Sequence, residues 1–153
     1  MQAQFAYPSH EPMIRLLQVA ADQFAHELGE RFSAAGFGDI RPGHRCVFGT
    51  IDPENGSRLT ELAERAQLTK QSVGEATSDL ERLGYAERVA DPGDGRAKII
   101  RLTPRGREAH AIGRQMIEEL ERDWAERYGE ERVTALRDAL EAVSADWLGL
   151  VPA

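Results

Sequence analysis

The sequence predicts a mainly α-helical protein that carries one small β-hairpin, in the arrangement of a winged helix-turn-helix. Two short helical patterns separated by a brief break occupy residues 59–83, and two short extended runs follow over residues 85–102. Helix, turn, helix and hairpin, in that order, form a winged helix-turn-helix. Longer amphipathic patterns before and after this segment predict helical arms on both sides of it.

The first helix of the pair is predicted from apolar residues at helical spacing. They are Leu59, Leu62, Ala63 and Ala66. Thr60 is its expected N-cap, and Gln67-Leu68 interrupts the pattern. Thr69 is the expected N-cap of the second helix, which runs to Leu83 and is followed by Gly84 as the C′ residue. The expected buried face of the second helix consists of Val73, Ala76, Leu80 and Leu83.

The hairpin is predicted over residues 85–90 and 98–102, two short runs bounded by turn-forming residues. The turn at residues 91–95 contains Asp, Pro and Gly, which are common in turns. The expected wing is therefore a hairpin with a long, charged tip.

The N-terminal part of the chain is expected to begin with a loose segment at residues 1–10. A helix is predicted over about residues 12–35, because its apolar residues form one stripe. The stripe contains Leu17, Ala20, Ala21, Phe24 and Leu28. A shorter helix over about residues 44–51 and a loop rich in turn formers at residues 52–57 precede the helix-turn-helix.

Thr103 followed by Pro104 marks the start of a long helix that runs to about residue 128. Gly129 separates it from a last helix, whose apolar residues have the 3-4 spacing of a short coiled-coil seam. The seam contains Val133, Leu136, Leu140, Val143 and Trp147. This seam and the apolar tail at residues 148–151 need a covering surface. Intramolecular packing and a homodimer formed by the two chain ends both provide one.

The net charge of the 153 residues is −7, which by itself argues against binding to nucleic acid. The distribution is uneven. Residues 58–107 hold ten Lys and Arg against eight Asp and Glu, so this segment carries +2 and the remainder carries −9. A mildly basic segment in an acidic chain is compatible with DNA binding at one face.

Several protein classes are excluded by what the sequence lacks. No apolar run reaches the roughly 18 residues of a membrane span, and the N-terminus does not have the pattern of a signal peptide. Cys46 is the only cysteine, so no internal disulfide or cysteine zinc cluster forms. We expect a cytoplasmic protein without a membrane partner, and we expect Cys46 to be a small buried hydrophobic residue and not a redox sensor.

The sequence contains no nucleophile elbow, P-loop or Rossmann fingerprint. The four histidines do not have the spacing of metal ligands; they are His10, His26, His44 and His110. We therefore expect no enzymatic activity, no metal site and no cofactor.

Three runs of the sequence resemble the MarR family of bacterial transcription regulators. They are Leu83-Gly84-Tyr85, then Asp91-Pro92-Gly93-Asp94-Gly95-Arg96, and then Leu102-Thr103-Pro104-Arg105-Gly106. They resemble the end of the family's recognition helix, its wing and the start of its long dimer helix. The resemblance implies one MarR-like unit over residues 1–153, with a winged region at 41–103 and helical dimerisation arms at 1–40 and 104–153.

The resemblance also implies a homodimer that regulates transcription, as a repressor or an activator often relieved by a small aromatic or phenolic ligand. Its partner is double-stranded DNA, and a two-fold dimer suits a palindromic operator. We expect a repressor that responds to such a ligand.

The start of the recognition helix corresponds to Thr69, Lys70, Gln71 and Ser72. Residues at this end of such a helix reach base edges in the major groove. Gln71 can pair with adenine, and the two hydroxyl side chains can contact bases or phosphates. Lys70 is expected to bind phosphate.

The wing supplies the other expected DNA contacts. Arg96 occupies the position at the wing tip that enters the minor groove in the family, and Asp94 occupies the position of an acidic residue that orients this arginine. Lys98 and Arg101, in the second strand of the wing, have weaker claims to contact DNA.

Glu75 and Asp79 depart from the family's usual pattern. Two carboxylates on the recognition helix would repel phosphates, although a glutamate can accept a hydrogen bond from cytosine. A selective or weak DNA binder remains consistent with them. The alternative is a winged-helix module for protein–protein association with little or no DNA affinity.

A ligand cleft is expected between the arms and the winged region. Its walls would come from the first helix, the helix at residues 44–51 and the helix after Pro104. Apolar and aromatic walls with one titratable polar group suit a small aromatic acid. The candidates are Phe24, Leu28, His44, Phe48 and Ile112. The alternative is that these five residues fill the core.

Overall fold

A computed structural model describes the backbone of residues 10–148 and the side chains of residues 10–145. Most of the expected loose segment at residues 1–10, the side chain of Trp147 and the apolar tail after residue 148 lie outside the described residues.

The chain forms six α-helices and three strands within residues 10–148. In order they are α1 (Met13–Ala34), a 3₁₀ turn (Pro42–His44), α2 (Arg45–Phe48), β1 (Ser57–Arg58), α3 (Leu59–Ala66), α4 (Lys70–Arg82), β2 (Ala86–Asp91), β3 (Asp94–Leu102), α5 (Pro104–Tyr128) and α6 (Glu130–Leu148). The strands form one antiparallel sheet in the order β1-β3-β2. The predicted fold class is confirmed: α3 and α4 form the helix-turn-helix, and β2 and β3 form the wing.

The N-cap of the first helix of the pair lies two residues earlier than predicted. The N-cap of α3 is Arg58 and not Thr60. Glu61 accepts the Arg58 backbone N–H at 3.1 Å, so the reciprocal half of a capping box satisfies this end of the helix. The break after α3 lies where it was predicted, because Gln67 adopts a left-handed conformation with φ of 53°.

The junction between α4, the wing and α5 explains why its glycines are needed. Gly84 has φ of +83°, and the Tyr85 N–H donates to the Leu80 carbonyl at 2.8 Å, which is a Schellman C-cap. The Thr103 hydroxyl accepts the Gly106 N–H at 3.1 Å and donates to the Gly84 carbonyl at 2.6 Å. A Cβ at Gly106 would lie 1.9 Å from the Tyr85 carbonyl oxygen. Only glycine therefore lets α5 start against the end of α4.

The wing differs from its prediction at the tip and gains a third strand. Its two strands extend to Asp91 and from Asp94, so Pro92-Gly93 alone connect them. Ser57 was predicted to lie in a loop and Arg58 was assigned to no element, but Ser57 pairs with Ile100 and Arg58 with Ile99. A sequence of turn formers does not indicate a two-residue strand, because the pairing is decided by β3.

The predicted helix at residues 44–51 is shorter and has a different start. A 3₁₀ turn at Pro42–His44 leads into the single turn of α2, which ends at Gly49. The Gly49 N–H donates to the Arg45 carbonyl, and the Thr50 hydroxyl donates to the Cys46 carbonyl at 2.5 Å, so local bonds close the turn.

The core lies inside the winged region, between α3, α4, the sheet and the start of α5. Its fully buried side chains include Val47, Leu62, Val73, Leu80, Tyr85, Ile100 and Leu102. On α4, Thr77 is buried together with Val73 and Leu80, whereas Ala76 and Leu83 are only half-buried. The Thr77 hydroxyl donates to the Val73 carbonyl at 2.7 Å, which explains how a polar side chain fits there.

Helix α1 packs along α5. The rings of Phe24 and Trp124 meet edge to face at 5.2 Å, and Phe32 lies so close to Gly113 that a Cβ there would sit 2.7 Å from the ring. Arg31 pairs with Asp123 across the same contact. None of the helices within residues 10–148 is long and apolar enough to cross a membrane.

Candidate nucleic-acid interface

The recognition helix α4 starts as predicted. The Thr69 hydroxyl accepts the Ser72 backbone N–H at 3.2 Å and lies 2.9 Å from the Ser72 hydroxyl, so the N-cap at Thr69 is confirmed. Both hydroxyls are engaged with each other. Lys70 and Gln71 are exposed at the first turn of the helix, and among the described residues neither side chain is hydrogen-bonded to a core residue.

The exposed face of α4 continues beyond its first turn. It borders an open groove of about 1020 Å³ between α4 and the segment of the 3₁₀ turn and α2. Glu75, Ser78 and Arg82 follow Gln71 at helical spacing on this groove, and Arg41 and Arg88 face it from neighbouring elements. The sequence analysis did not name Ser78 and Arg82, although their i+7 and i+11 spacing from Gln71 places them on the same face of the helix.

The two carboxylates of α4 have different surroundings. Asp79 is paired with Arg41 and with Arg82 at 2.7 Å, and His44 lies 3.3 Å from it. The hydrogen bonds from Arg82 and His44 and the charge of Arg41 lower the pKa of Asp79 to about 2. Asp79 therefore carries a compensated charge. Glu75 has no cationic partner within the described residues and contacts the side-chain amide of Gln71 instead, at 3.1 Å.

His44 is buried and has a defined hydrogen-bond direction. Its Nδ1 accepts the backbone N–H of Arg41 at 3.1 Å, so Nε2 carries the proton that faces Asp79. The segment before α2 is thereby connected to the middle of the recognition helix. His44 joins these two elements and does not line the cavity beside α5 described below.

The wing carries Arg96 on an irregularity of the ladder. Ala90 pairs with Lys98 and Asp91 pairs with Asp94, so residues 95–97 form an insertion in β3. Such a bulge bends its strand and redirects side chains. Arg96 lies in the middle of this insertion and is exposed.

The wing is anchored at Asp91. The Asp91 carboxylate accepts the Gly93 N–H at 2.8 Å and the Arg58 Nε–H at 2.7 Å, and these two bonds lower the pKa of Asp91. Asp94, expected to orient the Arg96 side chain, instead accepts the Arg96 backbone N–H at 3.1 Å. Asp94 therefore shapes the turn, and the ion pair at the base of the wing belongs to Asp91.

The cations of this face divide into paired and unpaired groups. Arg101 donates to Glu87 at 2.8 Å, and Arg88 lies 3.2 Å from Glu81. By contrast, Lys70, Arg96 and Lys98 have no carboxylate within salt-bridge distance among the described side chains of residues 10–145. Their charges are free for phosphates, which supply most of the sequence-independent affinity of a DNA-binding protein.

The expected ligand residues are not brought together. Leu28 and Phe48 line one cavity of about 450 Å³ between α1, α2 and α5. Phe24, one turn before Leu28 on α1, packs against Trp124, and Ile112 packs against the core of the winged region. The sequence pattern assigned all five to one cleft because helical spacing does not reveal which neighbour each turn meets.

The cavity has a cationic rim that the sequence did not indicate. Arg45, His110 and Arg114 line it together with Phe32 and Ile117. Neither arginine forms an ion pair within the part of the chain that the structure describes. Burial and the charge of Arg114 lower the pKa of His110. An apolar floor with cations at its rim matches a small amphipathic anion.

Cys46 is half-buried, and its thiol donates to the Gly43 carbonyl at 3.1 Å. Burial raises the pKa of the Cys46 thiol. A reactive thiolate requires the opposite shift.

Comparison with known proteins gives one match by sequence and a set of matches by fold. Residues 39–97 match the sequence model described as MarR family. That segment contains α2, the helix-turn-helix and most of the wing. No curated protein sequence matches the chain significantly.

Solved structures match over most of the chain. The reduced form of MarR from E. coli has a TM-score of 0.73, with 20% identity over 89% of this chain and 98% of that one. The transcriptional repressor CouR bound to a 23-mer DNA duplex has a TM-score of 0.72, with 21% identity over 87% and 92%. CouR from Rhodococcus jostii RHA1 bound to p-coumaroyl-CoA has a TM-score of 0.66, with 20% identity over 84% and 88%.

At this level of identity the structural likeness establishes a shared fold, and the sequence model matches only residues 39–97. Residues 39–97 are thus similar to the MarR family by sequence, and the chain shares the fold of these solved structures over most of its length.

Proposed function

We propose that this protein is a homodimeric, sequence-specific DNA-binding transcription regulator that acts as a ligand-responsive repressor. The observation that carries the proposal is the set of unpaired cations at the start of α4 and on the wing. The fold-related repressor CouR has been solved on a DNA duplex, which supports the same use of the fold here. We assign residues 41–103 to DNA binding and residues 1–40 and 104–153 to dimerisation.

The proposed dimer rests on apolar side chains that the arms leave exposed. On α1 they include Met13, Ile14, Leu16 and Val19, which are 52–76% exposed. On α6, Leu136 and Leu140 are each 42% exposed and Val143 is 79% exposed. Contiguous apolar surface of this kind marks a protein–protein contact. A second copy of the chain would cover it with two-fold symmetry.

The DNA partner of such a dimer is a palindromic operator. Two recognition helices must sit about 34–36 Å apart to enter successive major grooves on one side of the duplex. A regulator that binds chromosomal DNA works in the cytoplasm of a bacterium, and we propose that location.

The proposed ligand is a small aromatic anion in the cavity between α1, α2 and α5. Leu28 and Phe48 supply apolar wall, and Arg45 and Arg114 supply uncompensated positive charge. The fold-related CouR has been solved with p-coumaroyl-CoA, an aromatic acyl thioester. A ligand here would act through different affinities for the DNA-competent and DNA-incompetent arrangements of the arms.

The function is tested by selecting genomic fragments with the full-length protein and titrating salt against the selected fragment. A DNA regulator enriches discrete fragments and loses affinity steeply as salt rises. A protein–protein association module enriches none. The carboxylates of Glu75 and Asp79 were the reason for considering a protein–protein association module. Because Asp79 is paired with Arg41 and Arg82, its charge no longer supports that alternative.

Ligand response is tested by thermal shift with a panel of aromatic carboxylates, comparing wild type with Phe48→Ala and Arg114→Gln. We expect a hit to stabilise the wild type most and to release the selected fragment. A compound that stabilises all three proteins equally binds elsewhere.

A further inference from the structure

We propose that Glu75 determines which operator this protein accepts, by selecting the amino group of a cytosine in the major groove next to the base read by Gln71. This inference rests on the proposed DNA-binding function and names the chemistry of its operator.

Glu75 is exposed on α4 and is separated from cations within the described residues. It lies in the middle of the exposed face of α4, one turn after Gln71, and it is exposed. Asp79, one turn further on, is compensated by Arg41, Arg82 and His44. Within the described residues Glu75 has no cation, so it is the one carboxylate of α4 that presents an uncompensated charge where base edges would lie.

The hydrogen bond to Glu75 sets the orientation of the Gln71 side-chain amide. Its amide nitrogen lies 3.1 Å from a Glu75 carboxylate oxygen. An ionised carboxylate only accepts hydrogen bonds, so the nitrogen and not the oxygen of the amide must face it. The Gln71 amide is left with its carbonyl oxygen and one N–H. Adenine presents the complementary pair in the major groove, a donor at N6 and an acceptor at N7.

Glu75 can accept a further hydrogen bond in addition to the one from Gln71. One of its oxygens is engaged with Gln71, and the other is open to a base. Only adenine and cytosine offer amino donors in the major groove. The adenine amino group lies between two acceptors that repel a carboxylate, its own N7 and the O4 of the paired thymine, whereas the cytosine amino group has an acceptor on one side only, the O6 of the paired guanine. Guanine presents two acceptors and is rejected.

An acidic residue on a DNA-binding helix can increase the sequence specificity of binding. Uncompensated negative charge weakens binding to every duplex, and this loss is recovered only where an amino group meets the carboxylate. Specificity then arises from rejection of wrong sequences as well as from attraction to the right one. Free cations at Lys70, Arg96 and Lys98 supply the general affinity that this arrangement requires.

The test is selection from a randomised duplex library with full-length wild type, Glu75→Gln and the control Glu64→Gln. Glu64 is an exposed glutamate on α3, so its substitution changes the net charge equally. We expect the wild type and the control to enrich the same motif, with a cytosine in each half-site. Replacing that cytosine with guanine should weaken both by about 5- to 150-fold.

For Glu75→Gln we expect the cytosine preference to fall below about twofold and the affinity for unrelated duplex to rise, since a repulsive charge is removed. A Glu75→Gln protein that keeps the wild-type motif and discrimination would overturn the role of Glu75 and leave DNA binding intact. A wild type that enriches no sequence would instead overturn the proposed function, and this inference with it.

Discussion

The winged region and the helical arms differ in how completely they bury their apolar side chains. Among the described residues, ten of the fourteen buried hydrophobic residues lie between residues 41 and 103, and ten of the eleven large exposed ones lie outside that segment. The winged region closes its own core around Leu62, Val73, Leu80 and Leu102. The arms bury one face against each other and leave another open. The difference is consistent with the proposal that a second copy of the chain covers the exposed apolar side chains of the arms.

The ion pairs of the winged region and those of the helical arms also differ in what they hold together. In the winged region, the pairs Arg58–Asp91, Arg82–Asp79 and Arg101–Glu87 hold loops and helix ends in place. In the arms, ion pairs such as Arg127–Glu27 lie at the crossing of α1 and α5. The cations left unpaired on the winged surface are the ones suited to phosphates. Substitutions in each region should therefore separate DNA contact from assembly.

The largest effect is expected from charges placed on the apolar face of α6. Leu136→Asp combined with Leu140→Asp should dissociate the dimer, because each carboxylate would be buried without a partner. Without a dimer the two half-sites are no longer bound together, and operator affinity should fall by about 100-fold or more. Light scattering measures the mass and fluorescence anisotropy the affinity.

The matched control is Thr134→Asp, which adds a carboxylate to the opposite, exposed face of α6 and should leave both quantities unchanged. A wild type that is already monomeric at micromolar concentration would contradict the account of the arms.

The second effect is expected at the wing tip. Arg96→Ala should weaken operator binding by about 1–3 kcal/mol, the usual loss for one charged DNA contact. The melting temperature should not change, because the Arg96 side chain is exposed. Arg132→Ala, which removes an exposed arginine from α6, is the control for net charge. Equal operator affinity for Arg96→Ala and wild type would remove Arg96 from the interface.

A smaller effect is expected from the anchor of the wing. Asp91→Asn keeps an acceptor for the Gly93 N–H but loses the charge that holds Arg58. The wing should become more mobile, and operator affinity should fall by less than for Arg96→Ala. Hydrogen exchange of residues 94–98 reports the mobility directly. Unchanged exchange in the variant would show that Arg58 does not hold the wing.

The smallest effect is expected at Asp79 and depends on pH. Its pKa is lowered from the ordinary 3.8 to about 2 in the folded chain. The stability that the charge contributes is therefore complete above pH 3.8 and is lost as pH falls from 3.8 towards 2. Asp79→Asn should unfold at lower urea concentration than wild type at pH 6, and the difference should shrink by pH 3. Glu64→Gln is the control. A pH-independent difference would contradict the charge pairing.

The parts of the fold that could be predicted from the sequence are those decided by local chemistry. The caps at Thr69 and Thr103 and the C′ residue Gly84 depend on neighbouring backbone groups, so their side chains alone indicate them. The parts that were missed depend on distant neighbours. Strand β1 exists because β3 lies beside it, and Arg58 caps α3 because β1 ends there.

The candidate site divides in the same way. The exposed start of α4 and the wing arginine could be predicted, because a family resemblance and a turn motif both point to them. The compensation of Asp79 could not, since Arg41 and His44 precede it by 38 and 35 residues. The cationic rim of the cavity was missed for the same reason. Arg45 lies on α2 and Arg114 on α5, and tertiary packing determines which side of each helix faces the cavity.

The central claim is that two copies of this chain bind one operator through unpaired cations of the winged region. Sedimentation of the full-length protein with its selected duplex tests it most directly. The account predicts a complex with two 17.0 kDa chains per duplex. The affinity of this complex should fall by roughly 100-fold as salt rises from about 50 to 200 mM. A complex with one chain per duplex, or an affinity that does not respond to salt, would contradict the account.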